Sequence, residues 1–276
     1  MPYALRPIGN VTGIEIYRSD VVVKREGYAP AVKDRTRAPI REFSKKSRQR
    51  LAFTAANTDV VFRSMITLTY PRDFPSDGRL VKRHLNRFLQ WFKRDSGGVS
   101  LLWFLEFQRR GAPHVHILSD RMVPRGVEDR RGLRFRVSAS WYRIVDSGDI
   151  RHHAAGTRTE RLRSLEGGRR YAVKYAMKMK QKVVPEAYQN VGRFWGCTRD
   201  VPPKPLDVIR CTEDDIRGIL ENYSEYYRED KPLSRVLYNV GSLFDAYRSG
   251  ELDNGANKVY NRHEGDSENR TKREVI

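Results

Sequence analysis

Two stretches of this chain carry residue types that can do chemistry together. The first runs Glu106-Phe-Gln-Arg-Arg-Gly-Ala-Pro-His-Val-His116 and follows the apolar run Val99–Leu105. Two β-prone segments flanking Arg-Arg-Gly-Ala-Pro read as a hairpin with its turn near Gly111. Side chains alternate along a strand, so His114 and His116 project to the same side. Glu106 lies on the preceding strand, where hairpin pairing brings its carboxylate opposite the imidazoles. Two neutral ring nitrogens and a carboxylate oxygen suit a divalent cation with positions left open for a substrate. A lone His-x-His is more often a surface or hydrogen-bonded pair, so the pattern needs a nucleophile from elsewhere in the chain.

The second stretch, Arg169 to Lys182, follows Gly167-Gly168 and has the composition of a helix. At about 100° per residue, Tyr171, Lys174, Tyr175 and Lys178 fall within an arc of roughly 100°. Ala172, Val173, Ala176 and Met177 take the opposite side, which is the natural core-facing stripe. The tyrosines are therefore not needed to fill a core. An ammonium group beside a phenol favours the phenolate and can stabilise a phosphorane-like transition state. The bland alternative is a basic helix whose tyrosines pack on a partner or on bases.

Other elements must position these groups. Asp59–Tyr70 is rich in β-branched and aromatic residues, stops at Pro71, and predicts a buried strand. Asp77-Gly78 precedes a helix to about Arg94, with Leu80, His84, Leu85, Phe88, Leu89 and Phe92 forming its apolar stripe; His84, at the edge of that stripe, is read as structural. Ser138–Val145 predicts a short helix, Gly156–Leu165 a strand, and Gly192-Arg-Phe-Trp-Gly196 a strand or tight turn. Adjacent His152 and His153 would face opposite ways on a strand and are assigned loop or surface roles. Lys33–Arg50 holds eight basic residues, with a helix expected from Ser44 to Ala56. Lys45, Lys46, Arg48 and Arg50, with Arg109 and Arg110 at the hairpin turn, are the expected contacts to a nucleic-acid backbone. Thr212-Glu-Asp-Asp215 resembles an N-cap opening a helix to about Glu229, and Ser234–Arg248 predicts another. The polar stretch from Gly250 onward is expected to be disordered. The expected division is a basic N-terminal extension (1–58), a catalytic domain (59–200), a helical appendage (201–250) and a tail (251–276).

Composition narrows the partner. A net charge of +19 over 276 residues points to a polyanion, most simply nucleic acid. No apolar run approaches the ~20 residues of a membrane span, and Met-Pro-Tyr-Ala-Leu-Arg-Pro carries no signal-like apolar core. Cys197 and Cys211 lack metal-ligand spacing and are expected as reduced, buried thiols. With no Gly-x-x-x-x-Gly-Lys-Ser/Thr loop, hydrolysis of nucleoside triphosphates is not expected.

Three pieces stand in order: Ile66-Thr-Leu-Thr-Tyr70, Pro113-His-Val-His-Ile-Leu118, and Tyr171-Ala-Val-Lys-Tyr-Ala-Met-Lys178. Together they resemble the three motifs of the HUH endonucleases, specifically the rolling-circle replication initiators of single-stranded DNA phages and plasmids. The similarity covers roughly residues 60 to 200. It implies an α+β fold with a central antiparallel sheet of about five strands flanked by helices, the His-x-His strand central. It also implies Mg²⁺ or Mn²⁺ on His114, His116 and Glu106. Tyr175 is then the first nucleophile, with Tyr171 second and Lys178 and Lys174 near the phosphate. The implied reaction nicks and joins single-stranded origin DNA, leaving a 5′-phosphotyrosine link and a free 3′-OH. The implied partners are a host helicase and DNA polymerase in a bacterial cytoplasm. The alternatives are an HUH transposase or mobilisation enzyme, and, in a different class, a non-catalytic nucleic-acid-binding protein.

Overall fold

The protein's structure is a computed structural model, and its description covers residues 11–25, 40–126, 132–162, 184–189, 191–210, 212, 227–229 and 236–238. The chain divides into two compact units, one formed by Asp34–Pro203 and the other by Met1–Lys33 with Lys204–Ile276. In the latter, β1 (Val11–Ile16) and β2 (Val21–Arg25) make an antiparallel hairpin. Its turn closes where the Tyr17 N–H donates to the Asp20 carbonyl at 2.8 Å.

The larger unit starts ahead of the expected boundary at 59, because α1 (Lys45–Asn57) belongs to it. Ser44 caps that helix, its hydroxyl accepting from the Ser47 N–H at 3.3 Å. Leu51 and Ala55, four residues apart on one face, are fully buried in the core.

Five antiparallel strands follow in the order β6-β3-β5-β4-β7. They are β3 (Ser64–Thr69), β4 (Leu101–Phe107), β5 (Pro113–Ser119), β6 (Thr157–Arg161) and β7 (Trp195–Cys197). This is the expected α+β architecture, with the His-x-His strand in the middle of the sheet. Ile66, Leu68, Val115, Ile117 and Leu105 alternate onto one face and are buried there.

The helix α2 (Gly78–Asp95) has Asp77 as its cap, accepting from the Arg79 N–H at 2.8 Å. Its buried stripe is Val81, His84, Leu85, Phe88 and Phe92. Val81 takes the deep position that the spacing alone gave to Leu80. Phe88 meets Trp141 edge-to-face at 5.9 Å, joining α2 to α3 (Leu133–Val145). His84 is buried and lies 3.1 Å from the Tyr70 hydroxyl, a structural pairing.

His152 departs from its expected surface role. It lies in the short helix α4 (Ile150–Ala155) and is buried. Its Nε2–H donates to the Thr69 carbonyl at 2.9 Å, and Nδ1 lies 2.9 Å from the Ser147 hydroxyl. The two histidines stand on a helix rather than a strand, and His152 falls on its packed side.

The other unit is completed by β8 (Asp207–Ile209), β9 (Tyr227–Glu229) and β10 (Val236–Tyr238), in the order β8-β1-β2-β10-β9. Strands therefore stand at 227–229 and 236–238, where helices were expected. Val236 pairs with Val21, a partner more than two hundred residues away that the local N-cap signal at Thr212 does not register. β1, β2, β8, β9 and β10 thus form one sheet, and the remainder of the expected helices at 212–229 and 234–248 lies outside the described residues. Among the described residues, no helix is long and apolar enough to cross a membrane.

Candidate active site

The β4–β5 hairpin is closed by a tight turn. The Gly111 N–H donates to the Gln108 carbonyl at 2.8 Å, and the Gln108 N–H to the Ala112 carbonyl at 2.9 Å. Gly111 has φ +80°, a conformation glycine enters without a Cβ clash. The register that follows sets Glu106 opposite His114 and Phe104 opposite His116. On the other side of β5, Thr69 stands opposite His114 and Thr67 opposite His116. Directly paired residues share a face, so these six side chains converge on one surface of the sheet.

His116 and Glu106 are almost wholly buried, at 4% and 1% exposure, while His114 is half-buried. The two imidazoles meet edge-to-face with centroids 4.6 Å apart, and Phe104 stacks on His116 at 5.0 Å. His116 Nε2 faces Glu106 Oε2 at 3.6 Å. Thr67 Oγ1 lies 3.3 Å from His116 Nδ1, and Thr69 Oγ1 3.1 Å from His114 Nδ1. Burial pushes the His114 pKa down to about 4, reinforced by His116 and Arg110 and opposed by Glu106. At neutral pH this ring is uncharged and offers a lone pair.

The donor chemistry fits a divalent cation: two imidazoles and one carboxylate line a single face, with the carboxylate directed at one ring nitrogen. Among the described residues, no group of three or more His, Cys, Asp or Glu side chains, Glu106, His114 and His116 included, is arranged so as to hold a metal ion, so these donors match a cation in type and face alone.

Of the other expected site residues, Tyr171, Lys174, Tyr175 and Lys178 lie outside the described residues. Lys45, Lys46 and Arg50 are exposed on α1 and Arg109 is exposed at the hairpin turn, as a backbone-contacting set requires. Arg48 differs: it is buried, and its Nε–H donates to the Phe43 carbonyl at 3.1 Å. On a helix one residue in that basic run must face inward, and Arg48 falls on the stripe with Leu51 and Ala55. Arg110 also serves the fold. Its guanidinium donates to the Tyr70, Pro71 and Arg72 carbonyls at 2.7, 2.7 and 3.0 Å and lies 5.1 Å from the Phe74 ring. That clamps the hairpin turn to the chain leaving β3. The planar fork that suits a phosphate suits a row of carbonyls equally well.

α1 touches the histidine side of the sheet. Trp195 pairs with Phe104 in register, and its indole N–H donates to the Ser47 hydroxyl at 3.0 Å. The basic helix and the candidate ligands therefore share one side. Thr67 and Thr69 were not singled out from the sequence, although the alternation Ile66-Thr-Leu-Thr69 signals two hydroxyls on the face opposite Ile66 and Leu68.

Residues 63–180 match the family model described as replication-associated protein ORF2/G2P. The likeness is to replication proteins. The matched stretch, somewhat under half of the chain, takes in Thr67, Thr69, Glu106, His114 and His116, and also Tyr171, Lys174, Tyr175 and Lys178. No curated protein and no solved structure matches the chain.

Proposed function

We propose that the protein is a rolling-circle replication initiator that nicks and joins single-stranded origin DNA by tyrosine transesterification. The observation that carries this reading is the placing of Glu106, His114 and His116 on one sheet face, within the stretch that matches replication-associated proteins. Glu106, His114 and His116 would hold Mg²⁺ or Mn²⁺, which when bound supplies Lewis-acid neutralisation of the scissile phosphate. The Tyr175 oxygen forms a bond to phosphorus, and the bond from phosphorus to the 3′ oxygen breaks. The tyrosine loses its proton and the departing 3′ oxygen gains one, leaving a 5′-phosphotyrosine and a 3′-OH. Lys178 and Lys174 offset the charge that builds on the phosphate oxygens. Tyr171 repeats the attack on the regenerated origin while the first link is resolved by the 3′-OH. One ester replaces another, so joining needs no nucleotide hydrolysis. The free 3′-OH is a primer for a host polymerase, and strand separation calls for a helicase.

The test is a covalent adduct. The protein is incubated with an origin-region oligonucleotide and Mn²⁺, and a protein–DNA band is sought under denaturing conditions. Tyr175→Phe is expected to abolish the first cleavage and Tyr171→Phe to leave it; loss only with Tyr171→Phe reverses their order. Metal-free binding with no adduct from any origin-region oligonucleotide would leave the protein a non-catalytic DNA binder.

A further inference from the structure

We propose that Thr67 and Thr69 are positioning residues, whose hydroxyls hold His116 and His114 by Nδ1 so that each ring presents Nε2 to the cation. The inference rests on the metal-assisted reading above. It starts from sequence alternation: Ile66 and Leu68 are fully buried on one face of β3, which sends Thr67 and Thr69 to the other. Register then delivers each hydroxyl to one imidazole, at 3.3 Å for Thr67 with His116 and 3.1 Å for Thr69 with His114.

The chemistry selects the hydroxyl. A neutral imidazole that gives one nitrogen to a metal carries its proton on the other, and that N–H needs an acceptor. Beside His114 Nδ1 there are two neighbours, the Thr69 hydroxyl and the Gln108 amide nitrogen at 3.5 Å. An amide nitrogen only donates, and the Gln108 oxygen already accepts from Arg110 Nε at 3.0 Å. A hydroxyl both donates and accepts, so Thr69 can take the Nδ1 proton when Nε2 is engaged. For His116 the direction is set from both ends, with Nδ1 toward Thr67 and Nε2 toward Glu106 Oε2 at 3.6 Å.

Thr69 is itself held at three backbone points. Its N–H donates to the Gly156 carbonyl at 2.8 Å. Its own carbonyl accepts from Trp141 Nε1 and from His152 Nε2, both at 2.9 Å. α3 and α4 thereby fix the strand residue that fixes the imidazole.

The experiment compares the full chain with Thr67→Val, Thr69→Val and Thr69→Ser. Long-range nitrogen-15 NMR reads the imidazole tautomers in the presence of Mg²⁺, and calorimetry reads Mn²⁺ affinity without DNA. The expected result is the Nδ1–H tautomer at both histidines in the wild type. Each valine variant should lose that tautomer at its partner ring and bind Mn²⁺ about 10–100-fold more weakly. Thr69→Ser should restore both, which separates the hydroxyl from any packing defect. Wild-type uptake of Mn²⁺ with unchanged tautomers and affinity in the valine variants overturns the positioning role and leaves the nuclease reading standing. A wild type that takes up neither Mn²⁺ nor Mg²⁺ overturns both.

Discussion

Buried histidines make acid the natural probe at the scale of single residues. Burial lowers the pKa of His84, with Arg87 and Arg83 adding to it, and burial likewise lowers that of His152. His114 is lowered to about 4. In the unfolded chain each titrates near 6.5, so below that value the unfolded state binds more protons than the folded one. Their contribution is complete above pH 6.5 and is lost as pH falls from there through the folded values. Thermal melts should therefore show the melting temperature falling between about pH 7 and pH 5. His84→Gln, which keeps an acceptor for the Tyr70 hydroxyl, should make that fall shallower. A melting temperature that rises on acidification would contradict the assignment of these rings as neutral. The site itself was partly legible at this scale. His-x-His and Glu106 announce a shared face through strand periodicity alone, whereas Arg48 and Arg110 look identical in sequence to the arginines that face solvent. Nothing local distinguishes a guanidinium that meets a carbonyl 40 residues away, as Arg110 does, from one that meets a phosphate.

Secondary-structure elements were legible where hydrophobic period and caps agree. β3, α2 and the β4–β5 hairpin combine a clear period with Asp77 or Gly111 as punctuation, and each forms within a few residues of its expected place. The strands at 227–229 and 236–238 were missed: they pair with each other, and β10 is joined to the rest of its sheet by Val236 against Val21, more than two hundred residues away. The hairpin offers a direct prediction. Gly111→Ala places a Cβ at φ +80° and should cost about 1–2 kcal/mol of stability in chemical denaturation. Because the same turn sets the register of Glu106 against His114, that variant should also weaken Mn²⁺ binding. Stability lost with metal affinity intact would mean that the turn and the ligand face are independent.

Charge acts at the scale of the whole molecule. A net +19 was readable from composition, but which cations are available to a polyanion was not. Lys45, Lys46 and Arg50 are exposed on a helix that lies on the histidine side of the sheet, while Arg48 beside them is turned inward. Counterion release gives the check. Replacing Lys45, Lys46 and Arg50 together by Ala should flatten the logarithmic salt dependence of single-strand binding by about 2, at roughly 0.7 per phosphate contact. Arg48→Ala should destabilise the fold without a comparable change in slope. An unaltered slope in the triple variant would remove α1 from the nucleic-acid surface.

The strand that bears His114 and His116 has a neighbour on each flank, β3 on one side and β4 on the other. Its amides and carbonyls are thus committed along both edges, and it cannot peel away as an outer strand can. Opening the ligand-bearing backbone requires separating the middle of the sheet, which is the cooperative unfolding of the unit. Heat should therefore not disarm such a centre ahead of the fold. The backbone is a fixed template, and any adjustment that a cation or phosphate demands must come from side-chain rotation alone.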